Sequence, residues 1–287
     1  MENKNRRYKP RKNKTILLLV LLTLAVSLAA SVLDSRFRIV SDEYIILSGN
    51  LPESFDGFRI VQISDLHGRV FGKDNAGLFE AVRSQMPDII ALTGDFIDDV
   101  ADIPLVREVA VALTDIAPVY FISGNHDGAS GAIEELARAL ESAGVKYLRN
   151  EYLELTRDGE SIVLCGVEDP NGYADMKKPP EIVRELREKY PDSFTLLLAH
   201  RNNWLDIYPT LDVDAVLCGH AHGGMVRLPF VGGVVGTDHK LFPEYTSGLY
   251  EGRRYSMVVS RGLGDSVPLP RVFNNAHLPV IALKAAN

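Results

Sequence analysis

Five of the seven histidines in this chain stand just after short apolar runs, interleaved with Asp and Asn. The run RIVQIS leads into Asp65-Leu66-His67, and IIALT leads into Gly94-Asp95-Phe96-Ile97-Asp98. VYFIS leads into Gly124-Asn125-His126-Asp127, TLLLA into His200, and AVLC into Gly219-His220-Ala221-His222-Gly223-Gly224. Imidazole, carboxylate and amide donors without thiolate suit Mn, Fe, Zn, Ni or Co. Two carboxylates, four histidines and one Asn are too many donors for one tetrahedral ion. They suit two ions sharing a bridging carboxylate, and ions about 3.5–4 Å apart clamp a displacement at phosphorus.

Each cluster alone has an ordinary reading. Asp-x-His is an Asx turn with a surface imidazole, Gly-Asp is a common turn pair, and His-x-His puts two side chains on one strand face. The glycines around His220 and His222 speak for a tight loop that something approaches closely. Five such clusters in order are poorly explained by chance.

The elements that would position them alternate. Apolar, β-branched runs at 59–63, 88–92, 119–122, 162–166, 195–199, 215–219 and 255–260 read as strands. Segments 75–86, 103–116, 132–144 and 180–190 have helical periodicity, with Pro87, Pro118 and Gly144 as stops and Pro180 in a first turn. Alternation of this kind predicts an α/β domain with largely parallel pairing. Ligands then bind outside the carboxyl ends of the strands, where the five clusters fall. Cys165 and Cys218 lie inside apolar runs and read as buried structural thiols, which excludes a disulfide-rich scaffold. No Gly-x-Ser-x-Gly elbow or phosphate-gripping Gly-Lys-Ser/Thr loop is present.

The blocks SDLH, GDFID, GNHD, AH and GHAH span residues 64–222 in the order of the calcineurin-like metallophosphoesterase superfamily, and the chain resembles that family. GHAHGGMVRLPFVGG and SRGLGDSVPLPRVFN are similar to its YaeI/YkuE-type branch of membrane-associated or exported bacterial phosphoesterases. The resemblance implies a four-layer α/β/β/α sandwich and two divalent transition-metal ions, Mn, Fe or Zn. It implies that Asp65, His67, Asp95 and His222 hold one ion and that Asp95, Asn125, His200 and His220 hold the other. His126 would face the leaving-group oxygen, Asp127 could hold its tautomer, and Asp98 would shape the loop. Ala221 and Met225 stand where the branch more often has Thr and Gln, so any contact from those positions to substrate is in doubt. Arg201 replaces part of a common Asn-Pro-Asp; it reads equally as a phosphate grip or a solvated loop residue.

The charge is split. Residues 1–14 carry +6 and the other 273 carry −13. An acidic body argues against nucleic-acid binding. Ile16 to Leu33 has no charged residue and is close to the length that crosses a bilayer. An uncleaved signal anchor and a peptide cleaved near Ser27-Leu28-Ala29 both fit, the anchor better because the run is long. Arg6-Arg7 reads as a chance pair more than as a twin-arginine signal. The expected organisation is a basic cytoplasmic segment at 1–14, a transmembrane anchor at 15–34 and a metallophosphoesterase domain at 35–287. The basic flank predicts a cell-membrane protein with its body outside.

The expected activity is metal-dependent phosphoester hydrolysis by hydroxide attack on phosphorus, in line with the leaving oxygen and without a covalent enzyme intermediate. A noncatalytic scaffold, a cyclic-nucleotide phosphodiesterase and a protein phosphatase are the alternatives. Tethering raises the local concentration of membrane-bound substrates, so lipid-linked or envelope phosphoesters are the expected preference. Nothing implies a protein partner. Met225 to Phe230 reads either as a core strand or as an apolar lip beside the metals, with Arg227 reaching a phosphate. His239 and Lys240 would add cationic contacts.

Overall fold

A computed structural model describes residues 11–171, 176–237, 239–265 and 269–286. The basic segment therefore lies outside the described residues up to residue 10.

Two six-stranded sheets face each other. The first runs, in spatial order, Ile39–Ser48, Ala276–Ala285, Arg59–Ile63, Ile89–Thr93, Val119–Ile122 and Lys146–Tyr147. The second runs Gly248–Glu251, Ser256–Val259, Ala215–Cys218, Thr195–Leu198, Glu160–Gly166 and Glu151–Arg157. Strand periodicity of two sends alternate side chains to opposite faces. Ile60, Ile89 and Leu196 thus pack between the sheets with Leu164, Leu217 and Ile281. Their neighbours Val61 and Ile90 face helices Ala76–Ser84, Ile103–Thr114 and Ile133–Ser142. On the far side, Leu197, Val216 and Cys165 face Ile182, Val183 and Leu186 of helix Pro179–Lys189. Three apolar layers between four layers of structure make the α/β/β/α sandwich expected.

The five strands that lead into the clusters pair parallel with sequence-adjacent partners in each sheet. Their carboxyl ends therefore share one edge. Gln62 ties the two sheets at that edge, donating to Thr93 Oγ1 and to the Cys218 carbonyl, both at 2.9 Å. Both cysteines are buried and free.

The N-terminal helix is longer than the apolar run. It spans Arg11–Phe37, and Lys14–Phe37 is long and apolar enough to cross a membrane, with 6% of its apolar window buried. Its last turns touch the body. Ser31 Oγ accepts from the Phe273 amide at 2.8 Å and Ser35 Oγ from the Asn274 amide at 2.9 Å. A boundary at residue 34 thus falls inside a continuous, docked helix. The segment after the His220–Gly224 loop is not a core strand. Arg227–Leu228 pairs with Gly232–Gly233 in a short hairpin whose tip is exposed.

Candidate metal centre

Asp65 and His67 follow Arg59–Ile63, Asp95 follows Ile89–Thr93, and Asn125 opens a short helix after Val119–Ile122. His200 follows Thr195–Leu198, while His220 and His222 follow Ala215–Cys218. All seven stand at the carboxyl ends of these strands. Donor atoms of Asp65, His67 and His222 lie within 4.8 Å of one another, as do those of Asp95, His200 and His220. Asp95 Oδ2 is 3.0 Å from His200 Nε2 and 3.9 Å from His67 Nε2, so it sits between the two groups.

The backbone is bent to achieve this. Asp65, His67, Asp95, His220 and His222 all have φ between 45° and 65°. A left-handed residue other than Gly costs about 1–2 kcal/mol, and strain of this kind collects at functional sites. Gly94, at φ 84°, and Gly219 make the space. A Cβ on Gly94 would lie 2.6 Å from the Gly124 amide nitrogen, and one on Gly219 would lie 2.4 Å from Asp65 Oδ2.

The donor chemistry fits metal ions. Asp95 Oδ2, Asn125 Oδ1, His67 Nε2 and His200 Nε2 are buried without an aligned hydrogen-bond partner. Buried polar atoms are normally hydrogen-bonded; here four lack an aligned hydrogen bond, and two of them, Asp95 Oδ2 and His200 Nε2, meet only as an ion pair at 3.0 Å. The opposite ring nitrogens are occupied. His200 Nδ1 lies 2.8 Å from the Thr93 carbonyl and His67 Nδ1 lies 2.8 Å from Asp98 Oδ1. Such bonds fix the tautomer and turn Nε2 inward. Burial keeps His222 neutral and pushes His220 down to about 3, so both rings are ready to ligate.

Asp95 and His200 form the charged pair of the metal-free centre. Burial opposes the charge of His200, but Asp95 outweighs it and pushes that imidazole up to about 10. Burial also works against ionised Asp95, yet His200 and His67 hold it well below the usual carboxylate range. An ion taking the place of that proton must release it. Apparent metal affinity should therefore rise with pH between 6 and 9, by about tenfold per unit for one proton. Competition against a fluorescent chelator measures this, and a flat profile would show that His200 is already neutral.

His126 is half-exposed, and its Nδ1 lies 2.8 Å from Asp98 Oδ1. Asp127 does not touch it, which corrects the expected tautomer role. Fully buried, Asp127 accepts from the amides of Gly124, Asp95, Phe96 and Ile97 at 2.8–3.1 Å, binding two loops together. Without it, four buried N–H groups would lose a partner at about 1–3 kcal/mol each. Asp98 is corrected too: one oxygen of it serves both His67 and His126. Its hydrogen bond raises the pKa of His126, which favours the acid form.

Arg201 is part-buried and paired. Its guanidinium meets buried Asp169 through two nitrogens at 2.6 and 3.1 Å, and its Nη1 lies 3.5 Å from His220 Nε2. Arg227 is used by the loop itself, donating to the Gly223 carbonyl at 2.9 Å and to Thr246 Oγ1 at 3.3 Å. That corrects its expected reach toward a phosphate. His239 is exposed. A cavity of about 510 Å³ beside His220 is lined by Arg201, Lys240 and Tyr245 among others, with His239 outside it. Two further residues were not anticipated. Buried Arg271 has Nη2 3.3 Å from His222 Nδ1, and Asn274 donates to the His222 carbonyl at 2.7 Å. Both lie in the PRVFN stretch noted for its resemblance alone.

This sandwich, with thiolate-free donors gathered at one shared edge, defines a metal-dependent phosphoester hydrolase. The family model for calcineurin-like phosphoesterases matches residues 58–224, and the chain belongs to that family. It is 30% identical over 260 residues to YkuE, a metallophosphoesterase of Bacillus subtilis, covering 87% of each chain. It is 29% identical over 182 residues to the phosphodiesterase YaeI of Escherichia coli, covering 61% of this chain and 64% of that one. A transmembrane protein with a metallophosphoesterase domain from Danio rerio is 27% identical over 256 residues, covering 82% of this chain and 55% of that one.

Proposed function

We propose that the chain is a membrane-anchored phosphoesterase with two metal ions, acting on lipid-linked or envelope phosphoesters. In this reading Asp65, His67, Asp95 and His222 hold one ion, and Asp95, Asn125, His200 and His220 hold the other. The observation that carries it is the gathering of Asp65, His67 and His222, and of Asp95, His200 and His220, into two groups of donor atoms within 4.8 Å at one edge. When bound, two such ions supply hydroxide at neutral pH and draw charge from the phosphoryl oxygens.

The chain's own residues do the rest. The Thr93 carbonyl and Asp98 hold His200 and His67 in the ligating tautomer. Asp98 also keeps the Nδ1 proton on His126, leaving Nε2 to stabilise or protonate the leaving oxygen. Arg201, fixed by Asp169, offers the remainder of its guanidinium beside His220 to a phosphoryl oxygen. A noncatalytic scaffold is disfavoured by the complete donor set and by His126 held beside it.

The anchor reading is supported by the continuous helix Arg11–Phe37, whose apolar run passes without a break into the turns that carry Ser31 and Ser35. With the basic end inside, the body lies outside the cell membrane, and external protease should degrade it in intact protoplasts. The substrate class is tested with one phosphoester in acylated and deacylated forms, presented in mixed micelles beside cyclic nucleotides and a phosphopeptide. The acylated form should have the highest kcat/KM. No gain from acyl chains would remove the lipid preference, and no metal-dependent turnover of any ester would remove the hydrolase reading.

A further inference from the structure

The apolar residues exposed on the body are unevenly placed. Phe230 is fully exposed, Leu241 and Phe242 are 67% and 62% exposed, and Val231, Phe273 and Leu228 range from 56% to 44%. Phe230, Phe242 and Phe273 also have left-handed backbone, with φ of 65°, 54° and 52°. A bulky aromatic in that conformation is strained, and its ring in water forgoes the usual gain from burial. Met86 alone among the other exposed apolar residues described shares both costs, but three aromatics that bear them in one unit point to a surface that is covered in use.

They belong to one hydrogen-bonded unit. The Arg227 amide donates to the Val272 carbonyl, Val234 to Val226, and Phe242 to Val234, all at 2.8–2.9 Å. Through Phe273 and Asn274 this unit is bonded to Ser31 and Ser35 of the N-terminal helix. The depth of that contact follows from helix geometry. A hydrocarbon core of about 30 Å takes about 20 helical residues at about 1.5 Å each. Counted from Thr15, it ends near Asp34, the first acid after the apolar run. Ser31 then lies about 4–5 Å inside that boundary, at 1.5 Å per residue. The Phe273 amide, 2.8 Å from Ser31 Oγ, is held at the same level.

We propose that Leu228, Phe230, Val231, Leu241, Phe242 and Phe273 form a second membrane contact, which enters the lipid surface beside the anchor helix and turns the metal edge toward the bilayer. The occupant is lipid because the helix fixes the patch at the bilayer boundary, where exposed Phe and Leu side chains gain by burial among the acyl chains. The orientation follows from Asn274 Nδ2, which donates to the carbonyls of His222 and Met225 at 2.7 and 3.1 Å, and from Arg227 on the Gly223 carbonyl. The unit that meets lipid is thus bonded to the loop carrying His220 and His222. The proposal rests on the helix spanning a membrane, not on the identity of the substrate.

The test uses the full chain in lipid nanodiscs, with single cysteines carrying an environment-sensitive fluorophore. Cys165 and Cys218 are fully buried and leave labelling to the introduced site. Probes go at Phe230→Cys and Phe242→Cys, with Leu24→Cys in the helix and Met86→Cys, 76% exposed, as references. Lipids brominated on the acyl chains should quench 230, 242 and 24 by about twofold or more, while 86 stays unquenched. Quenching at 24 alone would overturn the second contact while leaving the anchor intact. No quenching at 24 would overturn the spanning helix and the proposal with it. A blue shift at 230 that grows with protein-to-nanodisc ratio, without bromine quenching, would mean that a second copy covers the patch, and would overturn it as well.

Discussion

Replacing Asp95 by Asn should strip the centre of both ions and lower turnover by about 10³-fold or more. The magnitude follows from the several kcal/mol that metal ions contribute to such transition states, at about 1.4 kcal/mol per decade. The substitution is nearly isosteric. Asp95 Oδ1 accepts from the His126 amide at 2.8 Å, and an Asn oxygen can keep that bond. The atom lost is Oδ2, which faces His200 Nε2 at 3.0 Å and His67 Nε2 at 3.9 Å. An amide NH2 there is a donor and cannot join two cations. In the proposed centre one of two ligating carboxylates would disappear, so the charge opposing two dications would be halved. His67→Ala should instead harm chiefly one site. Metal content by elemental analysis, measured beside kcat and a circular dichroism spectrum, separates these outcomes. An Asp95→Asn protein that retains two ions and full turnover would remove Asp95 from the bridging position.

The sequence carried the strands of the edge and the polar residues that end them because both signals are local. An apolar β-branched run and the Asp or His after it lie within ten residues, and parallel pairing brings such ends together. What it did not carry depends on contacts made across the chain. Asp127 is adjacent to His126 in sequence, so it was the natural candidate for the imidazole. The short helix from Asn125 turns it away, into the amides of residues 95–97, and brings Asp98 from another loop instead. Arg201 has its partner 32 residues away at Asp169, and Ser31 meets Phe273 across 242 residues. The two ten-residue strands Ile39–Ser48 and Ala276–Ala285 were missed for different reasons. The first carries Asp42 and Glu43 on an edge, and the second contains Pro279, which counts against a strand. Left-handed backbone at Asp65, His67 and Asp95 leaves only a weak signal, since Asp and His adopt it more readily than most residues but stand far more often in ordinary backbone.

His126 and Asp98 together permit a sharper test of mechanism than either alone. His126→Ala should leave both ions in place, because its ring nitrogen at Nδ1 is committed to Asp98 and no ligating role is assigned to it. Turnover should fall by about 10²–10⁴-fold, the range for a positioned general acid. The loss should shrink on esters with good leaving groups, whose oxygen needs little protonation. Asp98→Asn acts on the same proton at one remove. It removes the hydrogen bond that raises the pKa of His126, so the basic limb of the pH–rate profile should move to lower pH. It also loosens His67, whose Nδ1 meets the same oxygen, so affinity at one metal site should fall by about 10–100-fold, as for other residues that orient a ligand. The two effects are separable, because saturating metal restores the second and leaves the shifted pH profile. An equal loss on good and poor leaving groups in His126→Ala would assign that ring to phosphate binding. An unmoved basic limb in metal-saturated Asp98→Asn would mean that Asp98 only supports His67, and that the acid is tuned by something else.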